Sequence, residues 1–511
     1  MTISHSMKIS TLVQKLTPHA VVGPSNVDIS ALCYDSRQVV PGSAFFALRG
    51  AAVDGHRFID DALSRGARVI VCEEECPLPP QVAGLVVDDA RQALALAAAA
   101  YYGDPTADLL VIGITGTNGK TTVSYLLEAL LRAAGRRPAV IGTVNYRFEE
   151  QLLPSSHTTP ESADLMALAA RFRAAGADTL ILEVSSHALD QRRVDGIDFD
   201  LGIFTNLTPE HLDYHADLEA YFQAKCRLFT GLGDRGPKQA VVDIDSPYGR
   251  RLAEQCAGLW SCGLSSQATV HPLERRLSLA GIEARLASPA GSFDLHSVLR
   301  GEFNLSNLLC AATAGLALGF DPALVAAALA AAPPVPGRLE PVANDLGALV
   351  LVDYAHTADA LDKALGAVRG LQPRRVIPLF GCGGDRDRAK RPAMGSVAAI
   401  HSELVVVTSD NPRSEEPQAI IDEIRPGLEQ VFGAEWSLQK ATEQGRGGYV
   451  VIPDRRAAIE FAVALLKEGD LLLVAGKGHE DYQQIGSRRI HFDDREELRR
   501  ALQKREGRHE A

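Results

Sequence analysis

Short apolar runs alternate with amphipathic stretches along most of the chain, and that alternation predicts a layered α/β protein. Leu109-Leu110-Val111-Ile112-Gly113-Ile114 reads as a buried strand that runs into a glycine-rich turn. A helix follows, because Val123, Leu126, Leu127, Leu130 and Leu131 recur at three- and four-residue spacing and form one face. Further strand-like runs fall at Thr179 to Val184, Leu201 to Thr205 and Ala240 to Ile244. The last third repeats the pattern with Leu349 to Val352, Val376 to Phe380, Leu404 to Val407 and Leu471 to Val474. Each of these ends in a polar, charged or glycine-bearing loop. In open parallel sheets ligands bind beyond the carboxyl ends of strands, so those four loops are expected to face one crevice.

Two interruptions divide the pattern. Ala331-Ala332-Pro333-Pro334-Val335-Pro336-Gly337 can continue neither a helix nor a central strand and reads as a stiff connector. A weaker break falls at Gly103-Asp104-Pro105. Together with a length of 511 residues, well past the size at which one core stops growing, they predict three domains, over 1–106, 107–334 and 335–511.

Composition narrows the function classes. With 46% hydrophobic and 23% charged residues the chain can build a large core. A net charge of −12 argues against nonspecific binding to nucleic acid or anionic membranes. No apolar run approaches the roughly 18 residues that span a bilayer, and no secretory signal leads the chain, so a cytoplasmic protein is expected. Eight cysteines, none in CxxC spacing, suggest neither a disulfide framework nor a zinc ribbon. Cys72 and Cys76 come closest and read as ordinary thiols.

The candidate chemistry begins at Gly113-Ile114-Thr115-Gly116-Thr117-Asn118-Gly119-Lys120-Thr121-Thr122. Between strand and helix, backbone N–H groups and the helix N-terminus can hold phosphate oxygens. Lys120 would reach the outer phosphates, and Thr121 would ligate Mg²⁺. The strict GxxxxGK[ST] spacing misses by one residue, so a glycine-rich turn without a ligand is the alternative. Glu183 ends the next strand, where a carboxylate could hold a hard cation or simply be a solvated charge. Asn206 to His215 crowds His211, Asp213 and His215 together, but no third zinc ligand has convincing spacing. Lys225, in Ala224-Lys225-Cys226, reads as an ordinary helix-surface lysine, and an ammonium cannot ligate Mg²⁺.

Taken together, the Gly116–Thr121 loop, the Glu183 and His211 motifs and the Lys225 context resemble the Mur ligases. The resemblance runs from Asp35-Ser36-Arg37 to Asp481. Within that family, Asp353-Tyr354-Ala355-His356-Thr357, Gly381 to Asp387 and Asp410-Asn411-Pro412-Arg413 resemble the branch that takes meso-diaminopimelate. The fold implied is a UDP-substrate domain, a central P-loop ATPase-like parallel sheet and a C-terminal Rossmann-like domain.

The resemblance also implies residue roles. Lys225 would be carbamylated, becoming an anion that binds a second Mg²⁺ with Glu183 and His211. Gly116, Thr117, Asn118, Gly119, Lys120, Thr121 and Thr122 would hold ATP, with Asn304 and Asn307 near adenine, Arg338 on phosphate and Asp353 on ribose. Helix capping and linker anchoring are the plainer roles for those last residues. Tyr34, Ser36, Ala51 and Ala52 would meet the uridine end of a UDP-muramoyl dipeptide, and His157, Thr158, Thr159, Ser185, Gln191 and Arg193 the rest. Two features depart from the pattern of some relatives: His157 stands in place of an asparagine before Thr158-Thr159, and the loop at Ala51 is one residue longer.

Arg386, Asp410, Asn411, Pro412, Arg413, Gly476 and Glu480 would hold the incoming amino acid. Such a set suits a substrate with a second amino acid centre, because an Arg fork meets its distal carboxylate and an acid its distal ammonium. Lysine lacks that carboxylate and would leave a buried Arg unpaired. The bland alternative for Asp410 to Arg413 is a surface turn.

The implied reaction is attack of the D-glutamate γ-carboxylate on the γ-phosphate of ATP, then displacement of the acyl phosphate by the diaminopimelate amine. Sites on two domains would imply closure. ATP and Mg²⁺ are the expected cofactors, small molecules the expected partners, and a monomer the expected state. A lysine-adding relative, a folylpolyglutamate-type ligase and a nucleotide-binding switch without ligase activity are the competing readings.

Overall fold

The structure is a computed structural model, and it describes residues 6–50, 53–212, 214–231, 236–256, 258–278 and 280–506. The chain divides into two compact units. The first comprises residues 1–271, 288–290 and 309–328; the second comprises 272–287, 291–308 and 329–511.

In the first unit an eight-stranded sheet has the order Gln151–Pro154, Asn145–Phe148, Pro138–Ile141, Thr179–Glu183, Leu110–Thr115, Leu201–Phe204, Gln239–Asp243, Leu259–Cys262. The six strands from Pro138–Ile141 onward are parallel, and the first two add an antiparallel edge. Leu110–Thr115 comes first in sequence among these but lies in the middle, flanked by Thr179–Glu183 and Leu201–Phe204. Strand order therefore reverses direction beside it, and the crevice beyond its carboxyl end is the natural binding place. The Lys120–Ala133 helix covers the sheet with Val123, Leu126, Leu127, Leu130 and Leu131, all fully buried as their spacing predicts.

A smaller five-stranded sheet, ordered Ala20–Val22, Ala83–Val86, Val69–Cys72, Ala44–Phe46, Leu32–Cys33, belongs to the same unit. One hydrophobic cluster runs from Ile9 and Phe46 through Leu94 to Val111, Leu182 and Val242. Burying apolar surface in such a cluster contributes about 25 cal/mol per Å².

The second unit contains a six-stranded sheet ordered Glu340–Pro341, Leu349–Asp353, Asp470–Ala475, Arg375–Phe380, Leu404–Val407, Gly448–Val451. All but the first pairing are parallel. Its four central strands match the four apolar runs of the sequence, and helices such as Pro417–Phe432 and Arg455–Leu465 alternate with them. A three-stranded sheet, His271–Ser278, Gly281–Ala287 and Phe293–Ser297, precedes it and is absent from the sequence expectations. Residues 331–337 are neither helix nor strand, as the proline content requires.

Candidate active site

The glycine loop turns on two residues with positive φ. Gly116 has φ +143° and lies so close to the neighbouring strand end that a Cβ would meet Thr205 Oγ1 at 2.0 Å. Gly119, at φ +90°, starts the Lys120–Ala133 helix. Asn206 ties the loop down: its carbonyl accepts the Thr117 N–H at 2.9 Å and its Oδ1 the Asn118 N–H at 2.9 Å. The amides of the first helical turn have no intrahelical acceptors and so are disposed to hold an anion. Lys120 Nζ folds back onto the loop, donating to the Gly116 and Thr117 carbonyls at 2.8 and 2.9 Å.

Glu183, at the end of Thr179–Glu183, is almost completely buried. Three hydroxyls converge on it. Thr121 and Thr143 donate to Oε2 at 3.0 and 2.8 Å, and Ser124 donates to Oε1 at 3.4 Å. Gly142 makes room for the carboxylate, because a Cβ there would stand 2.3 Å from Oε1. Gly142 and Thr143 carried no signal in the sequence beyond their place after an apolar run. A buried carboxylate joined to the phosphate-loop threonine is a donor set suited to a hard divalent cation.

Lys225 corrects an expectation. It is not on a helix surface: in the Leu218–Thr230 helix it is 1% exposed, with Nζ donating to the Gly116 carbonyl at 2.9 Å and lying 4.4 Å from the Tyr221 ring centre. Burial, reinforced by Lys120, holds its amine well below the ordinary lysine range. A neutral amine is the form that reacts with CO₂, so the surroundings fit a carbamate. Apolar residues surround Lys225 in the helix, with Tyr221, Phe222, Cys226, Leu228 and Phe229 all buried.

His211 takes a left-handed backbone, φ +58°, and belongs to an aromatic group. Its ring centre lies 4.8 Å from that of His187 and 6.1 Å from that of Tyr221, the residue that also stacks on Lys225. His215 accepts from or donates to Ser186 Oγ at 3.0 Å. Among the described residues no cluster of three or more His, Cys, Asp or Glu has metal-binding geometry. A Mg²⁺ site here would therefore draw on Thr121 and on a modified Lys225 as well as Glu183 and His211. Of these four, Thr121 and Glu183 are hydrogen-bonded to each other at 3.0 Å.

The residues expected to meet the UDP-muramoyl dipeptide fall into linked groups. Thr159 Oγ1 donates to the Glu183 carbonyl at 2.8 Å and accepts the Ser185 N–H at 3.0 Å, while Thr158 bonds Thr143 at 3.1 Å. Arg193 donates to the Thr159 carbonyl at 2.8 Å and to Gln191 Oε1 at 2.7 Å. His157 is exposed; its carbonyl accepts from the Tyr146 and Ser155 hydroxyls, and its N–H donates to Tyr146 Oη at 3.2 Å. Tyr34 donates to Asp164 at 2.6 Å, and Ser36 is buried beside it. Ala51 and Ala52 lie outside the described residues, as does Asp213.

In the second unit, Asn304 donates to the Arg300 carbonyl and Asn307 to Asn304 Oδ1, at 2.8 and 3.0 Å. The first bond lies at the start of the Glu302–Ala317 helix, where the side-chain amide donates to a carbonyl and caps no free N–H. The Asp353 carboxylate accepts the Leu339 and Ala355 N–H groups, each at 2.8 Å, and burial raises its pKa against the lowering effect of Arg338. Arg338 lies over the Tyr354 ring at 5.0 Å.

The loops after Arg375–Phe380, Leu404–Val407 and Asp470–Ala475 come together. Gly384 N–H donates to the Asn411 carbonyl at 2.9 Å, and Arg413 Nη1 to the Gly384 carbonyl at 2.7 Å. Asn411 Nδ2 donates to Glu480 Oε2 at 2.9 Å, and Gly476 approaches Asp410. Asp410 and Asn411 are buried, which excludes the plain surface turn; Pro412 is buried between them and Arg413. Arg386 is exposed, and its guanidinium donates to the Asp385 carbonyl at 3.4 Å. Asp410 Oδ1 is buried and makes no hydrogen bond among the described residues, though the Lys477 ammonium lies 3.4 Å from it. Lys477, fully buried between these loops, was not singled out from sequence.

A parallel sheet with a glycine-rich phosphate-type loop at its order reversal, a buried carboxylate tied to that loop and a desolvated lysine are the features of a nucleotide-dependent enzyme. Family models match three stretches: Mur ligase family, catalytic domain, over 28–102; Mur ligase middle domain over 114–315; and Mur ligase, glutamate ligase domain, over 337–478. The chain belongs to the Mur ligase family. It is 48% identical to the UDP-N-acetylmuramoyl-L-alanyl-D-glutamate--2,6-diaminopimelate ligase of Geobacter metallireducens, covering 97% of this chain and 98% of that one. The enzyme of the same name from Geobacillus thermodenitrificans is 43% identical over 98% of this chain and 100% of its own. A solved structure of a UDP-N-acetylmuramoyl-L-alanyl-D-glutamate--2,6-diaminopimelate ligase superposes with a TM-score of 0.70 at 33% identity, covering 99% and 100% of the two chains.

Proposed function

We propose that this chain is an ATP-dependent amide ligase of peptidoglycan precursor synthesis. It joins meso-2,6-diaminopimelate to the D-glutamate γ-carboxyl of UDP-N-acetylmuramoyl-L-alanyl-D-glutamate. End-to-end likeness to relatives of that name supports the reading, and the assembled Gly384, Asn411, Arg413 and Glu480 loops carry it chemically. In these loops an arginine fork and paired acids suit both ends of a second amino acid centre.

The γ-carboxylate attacks the γ-phosphate of ATP, giving an acyl phosphate and ADP. The amine of diaminopimelate then attacks the acyl carbon; phosphate leaves and the amide forms. The chain's part is to position the reactants and offset the repulsion between two anions. The phosphate loop, Gly116 to Thr122, cradles the phosphates, and Lys120 exchanges its loop carbonyls for phosphate oxygens. Thr121, Glu183, His211 and a carbamylated Lys225 would hold Mg²⁺, which would neutralise charge on the transferred group. Asn304, Asn307, Arg338 and Asp353 serve the nucleoside side of ATP. Tyr34, Ser36, Thr158, Thr159, Ser185, Gln191 and Arg193 serve the UDP-muramoyl dipeptide.

A division into three domains, over 1–106, 107–334 and 335–511, is the proposed organisation, supported by three separate family matches at 28–102, 114–315 and 337–478. Among the described residues no helix is long and apolar enough to cross a membrane. A cytoplasmic monomer acting on small molecules is the proposed working form. The test is incubation with ATP, Mg²⁺ and the UDP-muramoyl dipeptide, adding meso-diaminopimelate, L-lysine or neither. The reading requires a tripeptide of the diaminopimelate mass and ADP release that depends on it. Equal turnover with lysine would refute the substrate choice.

A further inference from the structure

Lys477 follows the Asp470–Ala475 strand and has no exposed surface. Its Nζ donates to Asn411 Oδ1 at 3.1 Å and to the Tyr482 carbonyl at 2.6 Å. It also lies 3.4 Å from Asp410 Oδ1 and 4.0 Å from Glu480 Oε2. The Gln484 N–H donates to the same Asn411 oxygen at 2.9 Å. Two donors at one oxygen settle which way the amide faces, since a reversed amide would set its NH₂ group against an ammonium and an N–H. Nδ2 is thereby turned to Glu480 Oε2, at 2.9 Å. One buried cation thus orients Asn411 and, through it, Glu480.

The charge count gives this arrangement a purpose. Asp410 and Glu480 are two carboxylates in a buried place, and Lys477 offsets one of them. We propose that Lys477 is a positioning residue for amino acid selection, leaving the Asp410–Glu480 site one net negative charge and a single oriented carboxylate for one incoming ammonium. This rests on the reading of Asp410, Asn411 and Glu480 as the site of the incoming amino acid. Burial and the charge of Asp410 raise the Glu480 pKa, while Lys477, the Asn411 amide and Arg413 lower it. Tyr354, Tyr482 and Arg455 also face this carboxylate. Removing Lys477 therefore raises the Glu480 pKa further, and binding an ammonium must first displace a proton.

The test uses the full chain and the variants Lys477→Met and Lys477→Arg, with Lys477→Gln, which retains a donor for the Tyr482 carbonyl, if the methionine variant fails to fold. The neutral variant should raise KM for meso-diaminopimelate by at least about tenfold, as expected for a pocket with a mispaired buried group. Its kcat and its KM for ATP should stay within about twofold, and the acid limb of kcat/KM for diaminopimelate should move up by about one pH unit. Lys477→Arg should restore the limb. An unmoved limb, or equal losses for all three substrates, would overturn the proposal. Glu480→Gln and Asp410→Asn separate the two levels: if neither raises KM for diaminopimelate, the site reading fails; if they do and Lys477→Met does not, only the role of Lys477 fails.

Discussion

Gly142→Ala tests how the phosphate-loop unit holds the Glu183 carboxylate proposed to bind Mg²⁺. The added methyl would stand 2.3 Å from Glu183 Oε1 and 2.8 Å from Cδ, against roughly 3.5 Å for an unstrained contact. The carboxylate must therefore move by about 1 Å or the strand end must shift. It has little room, because it is buried and held by Thr121, Thr143 and Ser124. A hydrogen bond to a charged group contributes about 1.5–3 kcal/mol, so breaking the Thr121 or Thr143 bond corresponds to roughly 10- to 150-fold. Misplacement of a catalytic group by about 1 Å costs a comparable 10²-fold. The expected result is a fall of about 10- to 100-fold in kcat/KM for ATP, with half-saturation at higher Mg²⁺, measured by ADP release over a Mg²⁺ series. Glu183→Gln should show the same loss, and the double variant should be no worse than Glu183→Gln alone, because both act through one group. An unchanged Mg²⁺ dependence in a folded Gly142→Ala protein would refute the reasoning, as would additive losses in the double variant.

Arg413→Ala should lower kcat/KM for meso-diaminopimelate by roughly 10- to 100-fold while leaving the low turnover with L-lysine nearly unchanged, measured by product mass in parallel reactions. Lys225→Arg keeps a positive charge but cannot carry a carbamate; ¹³C NMR under ¹³CO₂ should show a carbamate signal in the parent protein that this variant lacks, together with its activity. Asp243, buried at the end of Gln239–Asp243, has its pKa pushed up to about 7 by desolvation, opposed by the Asp245 N–H. Because the folded value is raised, stability is full below the unfolded value near 4 and is lost as pH rises towards 7, at a cost of up to about 4 kcal/mol. Asp243→Asn can still accept the Asp245 N–H, so it should raise the melting temperature at pH 8 and change it little at pH 4, by calorimetry.

Strands buried on both faces were legible because parallel sheets write them as continuous apolar runs: Leu404–Val407 coincides with its run, and Asp470–Ala475 differs by a residue at each end. The His271–Ser278 strand was not legible, since His271-Pro272-Leu273-Glu274-Arg275-Arg276 is mostly exposed and has no clear alternation. At the site, Lys120, Thr121 and Glu183 could be named because glycines and charged residues punctuate strand ends. Lys225 was misjudged, because its burial comes from a partner more than a hundred residues away, the Gly116 carbonyl. Lys477 and Gly142 were overlooked for a like reason. What makes them matter is a carboxamide or carboxylate brought close by the fold, and local sequence records no such distance.

The most direct measurement follows oxygen. With ¹⁸O in the D-glutamate γ-carboxyl of the UDP-muramoyl dipeptide, an acyl phosphate route passes one labelled oxygen to inorganic phosphate as the amide forms. The account predicts ¹⁸O-labelled phosphate in equal amount to tripeptide with meso-diaminopimelate, and neither product with the amino acid left out. Tripeptide formed with unlabelled phosphate would contradict it.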